Sequence, residues 1–162
     1  MAIPPATPEM WNWFVEAPVA PAAIPPLLAV VLGRPVVPLH DADPDDLPPR
    51  AVLCDVWTGI GDFPVGVDCY APPDDPPETV AAARLARRLG RGVLLPDDTL
   101  DPGRHVLATP DALLRPVHVD LVETDEGEAR TNLRACAVAD PWVPCRQSRW
   151  TPDRVVHALA AA

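Results

Sequence analysis

The sequence predicts an α+β fold, in which helices pack on one face of an antiparallel or mixed sheet of about five to six strands. Three observations favour this class. Several segments alternate apolar and polar residues, as half-buried strands do, with turns short enough for hairpins. One segment in the middle of the chain carries helical start and stop signals. Finally, 48% of the 162 residues are hydrophobic, too many for a disordered chain, and we expect a single domain over residues 1–162.

The first 50 residues are expected to be a proline-rich, irregular segment that covers a sheet–helix core formed by residues 51–162. Proline has no backbone N–H and fixes its φ angle, so a segment rich in proline makes a poor sheet strand. Only short elements are predicted within it. They are a helical turn that begins after Thr7 and carries Trp11, Trp13 and Phe14, a short helix from Pro25–Pro26 to Gly33, and a brief edge strand at Val36 and Val37.

The clearest hairpin is predicted over residues 52–70. Apolar residues occupy alternate positions on both sides of the turn at residues 59–62. This pattern favours a register in which Cys54 lies opposite Val67, because both apolar sets then share one face. In that register Cys54 and Cys69 are diagonal neighbours, and we expect no disulfide between them.

A helix is predicted to begin after the N-cap Asp75 and to end at Gly90. Pro76 is expected as its first residue, and Glu78 is expected to close a capping box. One face of this helix carries a stripe of four arginines: Arg84, Arg87, Arg88 and Arg91. Because the chain as a whole is acidic, we interpret the stripe as a solvated face with internal ion pairs rather than a phosphate or RNA site.

The second half of the chain predicts more strands and a last helix. A strand at residues 93–95 leads into an acidic turn. A second hairpin is expected to turn at residues 110–112. The predicted elements are hairpin strands over 104–109 and 113–122, a strand over 130–138, a loop over 142–150 and a helix over 151–161.

The charge of the chain limits its partners. It carries 23 acidic and 13 basic residues, a net charge of −10, which repels nucleic-acid phosphates and anionic lipid and favours a basic protein partner. We see no signal peptide, and the longest apolar stretch, Ile24 to Leu32, is too short to cross a bilayer. The four cysteines show no C-x-x-C spacing, and in a chain expected to be cytoplasmic they are interpreted as reduced thiols. Secretion stays open, because four cysteines could form two disulfides.

No pattern of catalytic or metal-binding residues stands out. Cys145, beside Arg146 and Arg149, is the cysteine that we would test as a nucleophile. His105 and His118 are predicted to face each other across the second hairpin, as a solvent-facing polar pair rather than a zinc site, because two ligands do not make a site. We therefore expect no catalytic residue, no bound metal and no cofactor.

Several features between Phe63 and Asp120 point to one known group of proteins. They are the strand Phe63-Pro64-Val65-Gly66-Val67-Asp68-Cys69-Tyr70, the helix ending Leu89-Gly90, the segment Val93-Leu94-Leu95-Pro96-Asp97-Asp98 and the hairpin around Pro110-Asp111. This stretch resembles small acidic immunity proteins encoded beside bacterial polymorphic toxins. The resemblance implies a role more than a fold: such proteins cover the active cleft of a cognate toxin and have no catalytic residues. The proline-rich N-terminal segment departs from the likeness.

We therefore expect a non-enzymatic, immunity- or antitoxin-like inhibitor that binds and neutralises a basic toxin domain. Acidic loops would steer the partner, and exposed aromatic side chains would anchor it. The residues expected to contact the partner are Asp55, Trp57, Asp68, Asp97, Asp98 and Glu126. Two alternatives stay open. One is a small enzyme using Cys145 or a His105/His118 site, and the other is a structural or adaptor subunit of a larger assembly.

Overall fold

A mixed sheet of eight strands is the framework of the computed structural model, which describes residues 10–97 and 101–136. The α+β class is confirmed, but the sheet has eight strands rather than the predicted five to six. The strands are β1 (Trp11–Val15), β2 (Val36–Pro38), β3 (Val52–Thr58), β4 (Val65–Tyr70), β5 (Val93–Pro96), β6 (Arg104–Ala108), β7 (Leu114–Thr124) and β8 (Gly127–Ala135). The helices are α1 (Ile24–Leu32) and α2 (Glu78–Leu89), with short 3-10 turns at Pro21–Ala23 and Leu39–Asp41.

The strand order across the sheet is β2-β3-β4-β1-β5-β6-β7-β8, and the pairings are antiparallel except for β2 with β3. The loop predicted over 142–150 and the terminal helix predicted over 151–161 lie outside the described residues. None of the helices within 10–97 and 101–136 combines the length and apolar character needed to cross a bilayer.

Strand β1 overturns two expectations about the first 50 residues. Residues 11–15 are not a helical turn: Trp13 pairs with Val67 of β4, and Phe14 pairs with Leu94 of β5. The segment therefore supplies a strand inside the sheet, not only a covering. The apolar and polar alternation of these residues outweighs the capping signal upstream, because a strand between two partners satisfies its backbone hydrogen bonds on both sides.

The other short elements of this segment follow the prediction. Helix α1 ends at Gly33, whose φ of 63° lies in the left-handed region that glycine adopts without a steric penalty. Strand β2 lies at the edge of the sheet beside β3, where its proline costs no ladder hydrogen bond to a further strand.

The register of the β3–β4 hairpin differs from the prediction by two residues. Cys54 lies opposite Cys69, and Val56 lies opposite Val67. The expectation that the two cysteines are diagonal is wrong, and both are buried free thiols. A shift of two residues keeps every side chain on its own face, so the burial pattern cannot distinguish the two registers.

Helix α2 is confirmed, with its end at Gly90 as predicted, but it starts later than expected. Its N-cap is Pro77, which offers no side-chain cap, so the predicted cap by Asp75 is wrong. The carboxylate of Glu78 accepts a hydrogen bond of 2.8 Å from Trp13 Nε1 instead of closing a capping box. Residues of α1 and α2 share one buried cluster with the sheet, so both helices cover the same face.

The opposite face, here called the outer face, has a smaller apolar cluster at one end. It contains Phe14, Phe63, Leu94, Leu107, Val117, Val119 and Leu133. The turn between β3 and β4 closes over this cluster, since Asp62 N–H donates a hydrogen bond of 2.9 Å to Arg130 O of β8. Gly61 makes this approach feasible: its φ is 92°, and a Cβ there would lie 2.8 Å from Arg130 O. Beyond the cluster, the outer face continues onto strands β3 and β4.

Candidate partner-binding face

Three of the six residues expected to contact a partner meet on the outer face of the β3–β4 hairpin. Asp55 lies directly opposite Asp68, and Trp57 lies opposite Gly66. Side chains alternate between the two faces of a strand, and the apolar positions of both strands pack toward the helices. The intervening polar positions must therefore point away from the helices, which brings these side chains together.

Trp57 is held in one orientation although 40% of its surface is exposed. Its ring lies against Gly66, where a Cβ would come within 2.1 Å of Trp57 Cε2. Its edge meets the Phe14 ring, with a centroid separation of 5.7 Å and an interplanar angle of 82°. Its Nε1 donates a hydrogen bond of 3.4 Å to Asp68 Oδ2. The exposed part of the indole is thus presented by a rigid support.

Phe14 is itself fixed from its other side. The guanidinium of Arg130 on β8 stands 3.4 Å from the centroid of the Phe14 ring, a cation–π contact. Arg130 also donates a hydrogen bond of 2.8 Å to Glu128, which holds the guanidinium in place. A continuous stack of side chains therefore runs from β8 to the exposed indole of Trp57.

The two carboxylates differ in their partners. Asp68 accepts hydrogen bonds from Asn12 Nδ2 and Trp57 Nε1, so both of its oxygens are engaged. Within residues 10–97 and 101–136, the carboxylate of Asp55 makes no hydrogen bond or ion pair. Desolvation, then the charges of Asp68 and Asp55, raise the pKa of the neighbouring Tyr70, so its phenol stays neutral. The face thus presents negative charge, and neither carboxylate forms an ion pair with a base in the described part of the chain.

The other three expected contact residues lie elsewhere. Asp97 follows β5, and its side chain, only 8% exposed, forms an ion pair of 2.8 Å with Arg104 Nε. The expectation that this carboxylate stands in solvent is therefore wrong. Glu126 is exposed at the tip of the β7–β8 hairpin, where its N–H donates to Thr124 Oγ1. Asp98 lies outside the described residues.

The predicted pair of histidines does not exist. The β6–β7 hairpin forms as expected, but Arg104 lies opposite His118 and His105 lies opposite Val117. The two histidines therefore lie on opposite faces of the sheet, and both are buried. No group of three or more His, Cys, Asp or Glu residues within the described part of the chain is placed to hold a metal ion. Cys145, the candidate nucleophile, lies outside it.

Three arginines of the α2 stripe are exposed, and the predicted internal ion pairs are not seen among the residues that the structure describes. Arg84, Arg87 and Arg88 have no acidic partner within the residues described. Arg91 instead donates a hydrogen bond of 3.1 Å from Nε to Pro18 O, which ties the end of α2 to the segment after β1.

The residues that support the outer face, Asn12, Phe14 and Gly66, were not predicted from the sequence, nor was the neighbouring Tyr70. Two signals could have found them. The alternation of Trp11 to Val15 predicts a strand with Asn12 and Phe14 on one face. A glycine on the strand facing a tryptophan is also a known pairing, in which the aromatic ring covers the bare backbone.

No family model, curated protein or solved structure matches the chain.

Proposed function

We propose that the protein is a non-enzymatic inhibitor that binds and neutralises a basic partner, in the manner of the cytoplasmic immunity proteins that protect bacteria from their own toxins. The observation that carries the proposal is the exposed indole of Trp57, fixed by its neighbours and flanked by Asp55 and Asp68. A partly exposed, preorganised aromatic residue is typical of an interface hot spot, because it loses little conformational entropy on binding.

Electrostatics supports a basic partner. Asp55 and Asp68 are directly opposed on neighbouring strands, and like charges in that arrangement repel. An arginine or lysine from the partner would relieve this repulsion and would lie against the face of Trp57 as a cation–π contact. The net charge of −10 would also accelerate the encounter with a positively charged surface.

The proposed contact set differs from the one predicted from the sequence. It keeps Asp55, Trp57 and Asp68 as the centre of the interface and Glu126 as an outlying acidic residue, while Asp98 stays a prediction from the sequence alone. Asp97 is left out because its carboxylate is buried against Arg104. Two carboxylates, an indole and a neutral phenol can hold a cation. The proposed role therefore needs no catalytic step on this face.

Co-purification with the product of the adjacent gene tests the proposal. The tagged protein should retain a basic, toxic partner, and Trp57→Ala should weaken the complex by at least about tenfold, the loss of a modest hot spot. Val30→Ala is a matched control, since Val30 is 58% exposed on α1, on the other side of the sheet. If no basic protein is retained, or if both variants bind equally well, the proposal fails.

A second comparison tests the charge of the face. Asp55→Asn/Asp68→Asn should weaken binding and reduce its salt dependence more than Asp45→Asn/Asp46→Asn does. The second pair removes the same charge from the exposed loop between β2 and β3. Size-exclusion chromatography distinguishes the structural-subunit alternative, which predicts an oligomer that buries Trp57, from a monomeric inhibitor. An oligomer that Trp57→Ala dissociates would contradict the inhibitor.

A further inference from the structure

Three basic side chains occupy one row across β6, β7 and β8. Arg104 lies opposite His118, and His118 lies opposite Arg134, so all three share one face. Adjacent strands are about 4.8 Å apart, which leaves the three groups as near neighbours. Each faces its own aspartate: Arg104 Nε is 2.8 Å from Asp97, His118 Nδ1 is 3.6 Å from Asp101, and Arg134 Nη1 is 2.6 Å from Asp120.

The middle member of the row is a buried imidazole. His118 is 6% exposed, and its Nε2 is inaccessible to solvent and has no hydrogen-bond partner among residues 10–97 and 101–136. The charged groups that face it are Asp101 and Asp97, which favour its protonation, and Arg134 and Arg104, which oppose it. The neutral imidazole of His118 therefore lies between the guanidinium groups of Arg104 and Arg134.

A second buried histidine lies beside this row, on the outer face of the sheet. His105 is also 6% exposed, and its Nδ1 is 3.3 Å from Gly103 O. Arg130 opposes its protonation, whereas Asp97 and Asp101 favour it. The β6–β7 seam therefore holds one buried imidazole on each face.

We propose that His118 and His105 make the β6–β7 seam an acid-sensitive latch, closed with both imidazoles neutral and loosened when they take up protons from water. Protonation of His118 puts a charge on a buried ring between the guanidinium groups of Arg104 and Arg134, and the added N–H at Nε2 finds no acceptor among the described residues. Protonation of His105 adds a charge beside an apolar cluster and Arg130. The proposal is independent of any partner.

The direction of the pH dependence follows from the two pKa shifts. Burial, the largest cause in both cases, lowers the pKa of each histidine from its ordinary value of 6.5 in the folded protein. The unfolded chain then binds more protons than the folded chain between the folded pKa values and 6.5. Stability is thus fully present above pH 6.5 and is lost as the pH falls through this window.

An opened seam would also affect the outer face. Arg130 on β8 contacts Phe14, and Phe14 supports Trp57. Movement of β7 and β8 away from β6 would remove this support. If the proposed function is correct, the partner would therefore be bound less tightly at acid pH. This consequence rests on the proposed function, whereas the latch itself does not.

Amide hydrogen exchange of the full chain tests the latch. After correction for the intrinsic pH dependence of exchange, protection of β6 and β7 should fall from pH 7.5 to pH 5 relative to β3 and β4, by up to about thirtyfold for each histidine that stays neutral in the folded chain. His118→Gln/His105→Gln should remove most of this difference, and His40→Gln should not, because the His40 side chain is 76% exposed. An unchanged difference in the double variant would overturn the proposal.

Titration of the imidazole protons of the wild-type protein by NMR gives a second measurement that needs no variant. The proposal expects both buried histidines to titrate below 6.5, with β6–β7 resonances broadening over the same range. If His118 and His105 titrate at or above 6.5, protonation does not weaken the seam and the latch is refuted, even if the double variant fails to fold.

Discussion

The indole of Trp57 lies against Gly66 on the neighbouring strand, in the space that a side chain at position 66 would occupy. The structure requires glycine at position 66, and this glycine supports a residue of the proposed interface. The glycine costs strand stability, since it contributes no side chain to the sheet, but it lets the tryptophan rest on the backbone and expose its opposite face.

Gly66→Ala should therefore destabilise the protein by about 1–3 kcal/mol, because the added methyl group displaces Trp57 from its support. Chemical denaturation of four proteins measures the effect: wild type, each single variant, and Gly66→Ala/Trp57→Ala. In the Trp57→Ala background the clash is absent, so alanine at position 66 should be neutral or stabilising. An equal cost in both backgrounds would show that Trp57 does not occupy this space.

Asp55→Asn should stabilise the isolated protein by about 0.2–1 kcal/mol, since it removes the repulsion from Asp68 across the strand pair. The gain should shrink as salt is added and screens the two charges. Asp45→Asn, in an exposed loop, is the control and should change the unfolding midpoint little. A destabilised Asp55→Asn protein would mean that this carboxylate has a favourable structural role.

Asp97→Ala should be far more damaging than the loss of an ordinary surface charge. It leaves the guanidinium of Arg104 buried without this counter-charge, and breaking a buried ion pair costs about 3–5 kcal/mol. Asp41→Ala, whose side chain is 66% exposed, is the comparison and should cost little. Thermal unfolding of the two variants measures both costs. Similar melting temperatures would show that the Asp97–Arg104 ion pair contributes little to stability.

The opposed thiols of Cys54 and Cys69 should be inert in the folded protein. Burial, and to a lesser extent the charge of Asp55, raises the pKa of Cys54 to about 11, and burial also raises the pKa of Cys69. Because the thiolate is the reactive form, a neutral alkylating reagent at pH 7.5 should modify both only as fast as the chain opens. Mass spectrometry of peptides follows each site, with denatured protein as the control. Rapid labelling of either cysteine without denaturant would contradict the prediction that the buried thiols are inert.

The residues themselves determined much of the local structure. The glycine at position 90 ends α2 because the left-handed conformation there suits a residue without a side chain. The turn at residues 110–112 sets the pairing of β6 with β7, since hairpin register follows from the turn. Alternation also predicted which positions of β3 and β4 face outward, so Asp55, Trp57 and Asp68 could be assigned to one face in advance.

The tertiary structure decided what depends on distant partners. Trp11–Val15 became a strand because β4 and β5 offer it hydrogen bonds on both edges, and those partners lie far along the chain. The two-residue change in the β3–β4 register and the burial of Asp97 against Arg104 are likewise invisible in a local pattern. Spacing along a sequence reports which face a side chain takes, whereas only packing decides which groups meet on it and which of them remain in water.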